Sequence, residues 1–184
     1  RRFWATSGAH LCLEAAMAGA DQWLIDKIVS GGQTGADRAA LDWALQRGVA
    51  HGGWCPKGRL AADGPLPEHY LLRETDSTGY RQRTKLNVRD SDATLIFNTG
   101  VLDGGTLQTA RFAQTLGKPH LVAQLDELTQ DSVVRRIRVW LTEGQFGVLN
   151  VAGPREEKRP GVYACVAALL DACFMGSTAA DVDN

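Results

Sequence analysis

The 184-residue sequence predicts one α/β domain built on an open, mostly parallel sheet with helices on both faces. Short continuous apolar runs alternate with segments in which apolar residues recur every three or four positions. Continuous runs are typical of strands buried on both faces, and parallel neighbours need a crossover that is usually a helix. The length fits one domain, and the composition, 44% hydrophobic and 22% charged, is typical of globular proteins. The expected architecture is therefore Rossmann-like.

The first predicted unit is a strand, a tight loop and a helix. The strand at 28–29 runs directly into two glycines, and the helix over 34–47 carries an apolar face. This face consists of Ala36, Ala40, Trp43 and Ala44. Glycine, proline and charged residues then crowd into 51–67, which predicts a long connection with one short strand near 49–54.

The same unit repeats further along the chain. A buried strand is predicted at 93–97, followed by a turn over 99–105 and a helix over 106–116 that ends before Gly117. A third strand is predicted at 119–124, with a helix over 131–141 whose apolar stripe is Val133, Val134, Ile137, Trp140 and Leu141.

The last predicted unit closes the domain. A fourth strand is expected at 148–152, and the last helix is expected to begin at Pro160, because proline is favoured at the first helical position. The ligand-binding domain is therefore predicted to span 27–175. Residues 1–26 are interpreted as an extension outside this domain, and 176–184 as a flexible tail.

Composition excludes several classes of protein. Twenty Lys and Arg against 21 Asp and Glu give a net charge of -1, which provides no global field for nucleic acid or an anionic membrane. The four cysteines form no C-x-x-C pair, so a zinc site is not expected. No apolar run reaches the roughly 18 residues of a membrane span. We expect a cytoplasmic protein without nucleic-acid or membrane partners.

Three glycine-containing turns, at 31–35, 104–106 and 153–155, each follow a predicted strand. In an open α/β sheet, the turns after the carboxyl ends of the strands meet in one crevice. The first two also begin helices, whose free N–H groups and positive dipole end favour anions. This arrangement predicts a phosphate-type ligand. The alternative is that the glycines only form tight turns, with Thr34 and Asp37 as a capping box.

Familiar nucleotide and catalytic motifs do not occur in the sequence. Without G-x-x-x-x-G-K-[ST], a P-loop NTPase is disfavoured, and without a well-placed G-x-G-x-x-G we reject NAD as a cofactor. Neither H-E-x-x-H nor a Ser-His-Asp order can be supported. The sequence therefore favours a binding protein over an enzyme.

Two polar segments are candidates for further parts of the site. If 80–92 is helical, Arg83, Thr84 and Asn87 lie on a stripe that apolar residues normally occupy. They either face the crevice, where a guanidinium could pair with an oxyanion, or form a solvated surface. The loop over 54–59 contains Lys57 and Arg59, and is either an exposed basic loop or a lid over an anionic ligand.

Five motifs in this order resemble the molybdenum cofactor carrier proteins, Rossmann-like relatives of the lysine-decarboxylase-like, or LOG, group. They are GGQTGADRAALDWA at 31–44, WCPKGR at 54–59, YRQRTKLNVRDSDATLI at 80–96, GGT at 104–106 and VAGPR at 151–155. The resemblance implies a cytosolic homo-oligomer, a dimer or tetramer, that binds the molybdenum cofactor as cargo. This cofactor is a pterin dithiolene with a terminal phosphate and an oxo-molybdenum centre. The implied partners are enzymes that make or accept the cofactor.

The resemblance also implies the binding residues. They are Gly32, Gln33, Thr34, Gly35, Arg38, Arg83, Thr84, Asn87, Gly105 and Thr106. Two features depart from the related patterns. Glu156-Glu157 stand where Ser is expected after AGPR. Related phosphoribohydrolases have a G-G-x-G-T-x-x-E pattern, and this chain lacks both its extra Gly and its Glu, which argues against nucleotide hydrolysis.

The leading hypothesis is a carrier that shields the molybdenum cofactor without catalysing a reaction. The alternative is a sensor of nucleotides or a phosphoribohydrolase-like enzyme, with Asp37 or Asp90 as its acid or base. A purely structural oligomerising domain ranks last, because it gives no role to the three turns or the polar helix stripe.

Overall fold

The computed structural model describes residues 24–175, in which eight strands and five helices follow the predicted alternation. Predictions for 1–23 and 176–184 lie outside this range. The strands are β1 (Lys27–Val29), β2 (Ala50–Cys55), β3 (Leu60–Ala61), β4 (Gly64–Pro65), β5 (Leu72–Glu74), β6 (Ala93–Asn98), β7 (His120–Gln124) and β8 (Val148–Ala152). The helices are α1 (Ala36–Gln46), α2 (Tyr80–Arg89), α3 (Gly104–Thr115), α4 (Gln130–Gly144) and α5 (Val162–Met175).

Six strands form a sheet in the order β5-β2-β1-β8-β6-β7, with every neighbouring pair parallel. β3 and β4 form a separate antiparallel hairpin. The chain extends the sheet from β1 towards β5, crosses to β6 and β7, and returns to place β8 beside β1. The strand order therefore reverses at β1 and β8, the place where α/β sheets usually bind their ligands.

Helices cover both faces of the sheet, which confirms the predicted fold class. On one face, α1, α4 and α5 pack on the central strands in the main core, around buried residues such as Phe97, Ile137 and Leu170. On the other face, α2 and α3 meet through a smaller cluster that includes Val88 and Phe112. Every residue of β6 is buried, as its continuous apolar run predicts.

Several boundaries differ from the predicted ones because tertiary contacts override local signals. α1 begins at Ala36, after Gly35, and no capping box forms, since the Thr34 hydroxyl donates to Glu157 instead. α5 begins two residues after Pro160. At the amino end of the described chain, Ile25 is 2% exposed in the main core, ahead of the predicted boundary at residue 27.

The long connection after β2 is folded. It contains the hairpin β3–β4 and the edge strand β5, neither of which was predicted. Within residues 24–175, no helix combines the length and apolar character needed to cross a bilayer.

Candidate functional site

A cleft of about 490 Å³ lies where the carboxyl ends of β1 and β8 meet the amino end of α3. This volume is in the range of small-molecule sites. As the sequence predicts, all three glycine turns contribute to it. The lining residues are Gln33, Asp37, Ala62, Tyr80, Arg83, Thr84, Gly105, Thr106, Thr109, Ala152, Gly153, Pro154, Arg155, Glu157 and Lys158.

The loop after β1 is shaped by close packing that requires glycine. A Cβ at Gly31 would lie 1.6 Å from Nη1 of Arg83, so glycine lets this side chain lie against the backbone. Gly35 has a φ of 78°, and a Cβ there would lie 2.5 Å from the Pro154 carbonyl oxygen. The first and third turns therefore pack directly against each other.

Arg83 and Asp37 form a buried ion pair in the wall of the cleft. Nη1 of Arg83 donates to Oδ2 of Asp37 at 2.8 Å, and the two side chains are 12% and 4% exposed. Burial raises the pKa of the Asp37 carboxyl above its ordinary value, although the positive charge of Arg83 opposes this shift. Nε of Arg83 is a buried donor without a partner among the described residues.

Gln33 has a fixed orientation and one free donor. Its Oε1 accepts hydrogen bonds from the backbone N–H groups of Thr34, at 3.0 Å, and Ala62, at 2.7 Å. Oε1 is thereby identified as the acceptor end of the amide, which leaves Nε2 as the donor. Within residues 24–175, this buried Nε2 has no hydrogen-bond partner.

The opposite side of the cleft is formed by the segment after β8. Arg155 places its guanidinium 4.5 Å from the ring centroid of Tyr80, a cation–π arrangement. Glu157 accepts a hydrogen bond from the Thr34 hydroxyl at 2.7 Å, and Lys158 pairs with Asp103. The cleft therefore has three cations and two carboxylates in its lining, a mixed charge rather than a uniformly positive one.

The amino end of α3 provides backbone donors. Asp103 is its N-cap residue but makes no side-chain cap hydrogen bond, because its carboxylate pairs with Lys158. The first-turn N–H groups are therefore not satisfied by a side-chain cap. Gly105 and Thr106 of this turn line the cleft. Such a helix terminus favours an anionic group.

Five of the ten residues predicted for the site line the cleft, and five do not. Those in the lining are Gln33, Arg83, Thr84, Gly105 and Thr106. Gly32, Thr34, Gly35, Arg38 and Asn87 lie outside the lining and shape or support its walls.

The supporting residues have identifiable partners. Asn87 accepts from the Trp54 N–H at 2.7 Å and donates to the Trp54 carbonyl at 3.0 Å, so it joins α2 to β2. Arg38 donates to both carboxylate oxygens of Asp63 at 3.1 Å and to the Gly32 carbonyl at 3.2 Å. These side chains have their hydrogen-bonding groups turned towards the protein.

The structure disfavours two of the alternatives that the sequence left open. Arg59 is not a lid cation, because its guanidinium donates to the backbone carbonyls of Leu66, Pro67, Tyr70 and Leu72. Asp90 is outside the cleft lining, where it accepts from Arg89 and from the Trp54 indole.

Sequence reasoning missed several lining residues. Tyr80, Thr109, Arg155 and Lys158 were not among the predicted binding residues, and Asp37 was considered only as a cap or an acid. Arg155 could have been found, since it belongs to the third glycine turn. No sequence pattern indicated Lys158, because no local feature shows that the segment after β8 turns back towards the amino end of α3.

Fold and cleft together define a Rossmann-like protein with a polar ligand cleft at the reversal of strand order. The chain belongs to the circularly permutated YpsA SLOG family, whose model matches residues 28–174. It is also similar to a crystal structure from Syntrophus aciditrophicus SB that is named "Putative molybdenum carrier protein". The two are 46% identical with a TM-score of 0.80, over 82% of this chain and 96% of the other. No curated protein matches the chain.

Proposed function

We propose that this protein binds, protects and carries the molybdenum cofactor in the cleft at β1, β8 and α3. The observation that supports this proposal most directly is Arg83, a cleft-lining guanidinium that is fixed by Asp37 and whose buried Nε has no partner among residues 24–175. A guanidinium with a free donor favours a phosphate or another oxyanion. The name of the Syntrophus aciditrophicus structure supports a molybdenum-containing cargo.

The residues present fit the chemistry of this cargo. Its terminal phosphate requires N–H donors and positive charge, which Arg83 and the first turn of α3 supply. Its flat pterin ring requires hydrogen bonds and an aromatic or planar surface, which Gln33 and the Tyr80–Arg155 pair supply. A carrier shields the oxidisable dithiolene by enclosing it, and this needs no general acid or base.

A second candidate function is favoured by Asp37. A buried carboxylate with a raised pKa at a ligand cleft is typical of an acid–base group. A sensor or hydrolase of nucleotides would use the same cleft, with the nucleotide phosphate at Arg83. Nucleoside monophosphate turnover that is lost in Asp37→Asn would support this alternative.

The carrier proposal is tested by anaerobic binding of the molybdenum cofactor with adenosine monophosphate as competitor. We expect stoichiometric molybdenum and pterin in the repurified protein, measured by metal analysis and pterin fluorescence, without displacement by the nucleotide. Arg83→Ala should weaken binding about 10- to 150-fold, the range for losing a charged hydrogen bond.

Arg81→Ala is the matched control, since Arg81 is an exposed cation on the same helix that lies over the Phe112 ring. It should bind as the wild type does. Absence of molybdenum and pterin, with the nucleotide bound instead, would overturn the carrier proposal. Homo-oligomerisation remains a prediction, which sedimentation equilibrium would measure.

A further inference from the structure

The charges of the cleft indicate more than an anion site. Glu157 lines the cleft and is exposed, and its Oε2 accepts a hydrogen bond from the Thr34 hydroxyl at 2.7 Å. The carboxylate therefore keeps capacity to accept further hydrogen bonds. A ligand that is anionic throughout would be repelled by this carboxylate. A ligand with N–H donors beside an anionic group would satisfy both Glu157 and the cations.

Gln33 places a donor next to this acceptor. Thr34 joins the two side chains, because its N–H donates to Oε1 of Gln33 and its hydroxyl donates to Oε2 of Glu157. Gln33 is 4% exposed, lines the cleft, and has in Nε2 a donor without a partner among the described residues. Thr34 thus links the residue with the amide donor to the residue with the carboxylate acceptor, and both residues line the cleft.

We infer that Gln33 and Glu157 recognise the 2-amino-4-oxo-pyrimidine edge that pterins and guanine share. On this edge a carbonyl oxygen stands beside a ring N–H and an exocyclic amino group. The carbonyl accepts from Nε2 of Gln33, and the two nitrogen donors bind the Glu157 carboxylate in a charge-assisted pair. Adenine offers no carbonyl on its corresponding edge. This inference rests on the proposed function and specifies the part of the ligand opposite its phosphate.

The test compares GMP with IMP, which differs from GMP only in lacking the 2-amino group. The wild-type protein should bind GMP at least tenfold more tightly, by isothermal titration calorimetry, because IMP leaves one charge-assisted bond unmade. Glu157→Gln should reduce this GMP/IMP ratio at least about fivefold, since the carboxylate charge is lost. Thermal unfolding of the variant checks that it is folded.

Glu156→Gln is the matched control, one residue away and with the same change of charge. Glu156 accepts from the N–H groups of Gly161 and Tyr163 at the start of α5, and is not in the cleft lining. The GMP/IMP affinity ratio of the Glu156→Gln variant should equal that of the wild type. An equal loss in both variants would show a general charge effect and overturn the assignment of Glu157.

Binding measurements with further ligands distinguish a failure of this inference from a failure of the proposed function. Equal affinity for GMP, IMP and AMP, with all three tighter than their nucleosides, would overturn edge recognition while leaving the phosphate site intact. If neopterin monophosphate, the nucleotides and inorganic phosphate all fail to bind, both proposals fail. Neopterin monophosphate binding more tightly than GMP identifies a pterin as the source of the edge; the reverse order identifies a guanine nucleotide and contradicts the carrier proposal.

Discussion

Gly31 and Arg83 are packed so closely that the smallest side chain at residue 31 displaces the guanidinium. A Cβ at Gly31 would lie 1.6 Å from Nη1 and 2.4 Å from Cζ of Arg83. We expect Gly31→Ala to lower the free energy of unfolding by roughly 1–3 kcal/mol, the typical cost of overpacking. In the Arg83→Ala background the same substitution should cost much less, because the clashing atoms are absent.

A double-mutant cycle measured by urea denaturation tests this coupling. Additive effects of the two substitutions would contradict the packing argument. Binding measurements on Gly31→Ala should show a loss similar to that of Arg83→Ala, since both variants remove the guanidinium from its position.

We expect Asp37 to make anion binding at the proposed site depend on pH. Burial raises its pKa, so the folded protein holds this proton more tightly than the unfolded chain does. The charged groups facing the carboxylate are Arg83 from α2 and Arg155 after β8, and the backbone N–H of Gln33 donates to it. As the pH falls through the raised pKa, the carboxylate loses the charge that competes for Arg83. Anion affinity should therefore rise towards acid pH.

Sulfate is the appropriate probe for this prediction, because its own charge is constant in this range. We expect its affinity to increase about threefold or more as Asp37 becomes protonated, and Asp37→Asn to bind more tightly at pH 7 with a flatter pH profile. Calorimetric titrations at several pH values measure both. A wild-type profile that Asp37→Asn leaves unchanged would assign the effect to another group. The free energy of unfolding should change with pH in the same direction. Because folding raises the pKa of Asp37, the stabilising contribution of this group is largest at acid pH and falls as the pH rises through the raised pKa.

At the scale of elements, the β3–β4 hairpin contributes to one wall of the cleft. Side-chain hydrogen bonds connect this hairpin to the first glycine turn and to α1. Arg38 binds both carboxylate oxygens of Asp63, and Gln33 accepts from the Ala62 N–H. The hydrogen bonds from Arg38 lower the pKa of Asp63 below its ordinary value. The pair therefore stabilises the hairpin at neutral pH, and this stabilisation is lost as the pH falls through the lowered pKa.

Asp63→Ala should therefore loosen the hairpin without unfolding the domain. The Asp63 side chain is 49% exposed, so the global free energy of unfolding should fall by no more than about 1 kcal/mol. Amide hydrogen exchange over residues 60–66 should become faster while the exchange of β6 stays unchanged. Asp76→Ala, in the exposed turn before α2, is the control. Unaltered exchange in the hairpin would show that Gln33 and backbone contacts hold it alone.

The elements that the sequence predicted are those whose signal is local. β6 is buried at every residue and β8 has the predicted bounds, because continuous apolar runs report burial on both faces. β3 and β4 have two residues each, too few for any periodic pattern. The alternative of a capping box is not realised, because Thr34 donates its hydroxyl to Glu157 and Asp37 accepts from Arg83.

At the scale of the whole molecule, the position of the cleft was predictable, whereas five of the ten predicted binding residues lie outside its lining. Parallel strands bring their carboxyl-end turns together, so the three glycine turns had to meet. Which cation reaches the cleft depends on distant partners. Arg38 is drawn away by Asp63, whereas Arg83 is held at the cleft by Asp37, 46 residues away in sequence. No local pattern distinguishes these two arginines.

Because the lining comes from segments as far apart as Gln33, Arg83, Gly105 and Arg155, the cleft exists only in the folded chain. A ligand that bridges these segments binds the native state alone and must stabilise the whole domain. At a concentration of one hundred times its Kd, it should add about 2.7 kcal/mol to the free energy of unfolding. For a domain of this size, that raises the Tm by roughly 5–10 °C.

Differential scanning calorimetry with GMP or neopterin monophosphate, against sodium chloride at equal ionic strength, measures this shift. Arg83→Ala should lose about half of the shift or more at the same ligand concentration, because its Kd is higher, whereas Arg81→Ala should retain it. A rise in Tm that is equal in both variants would mean that the ligand binds elsewhere or acts as a general salt. The dependence of Tm on ligand concentration, compared between these two variants, therefore reports whether the ligand binds the folded protein at this cleft.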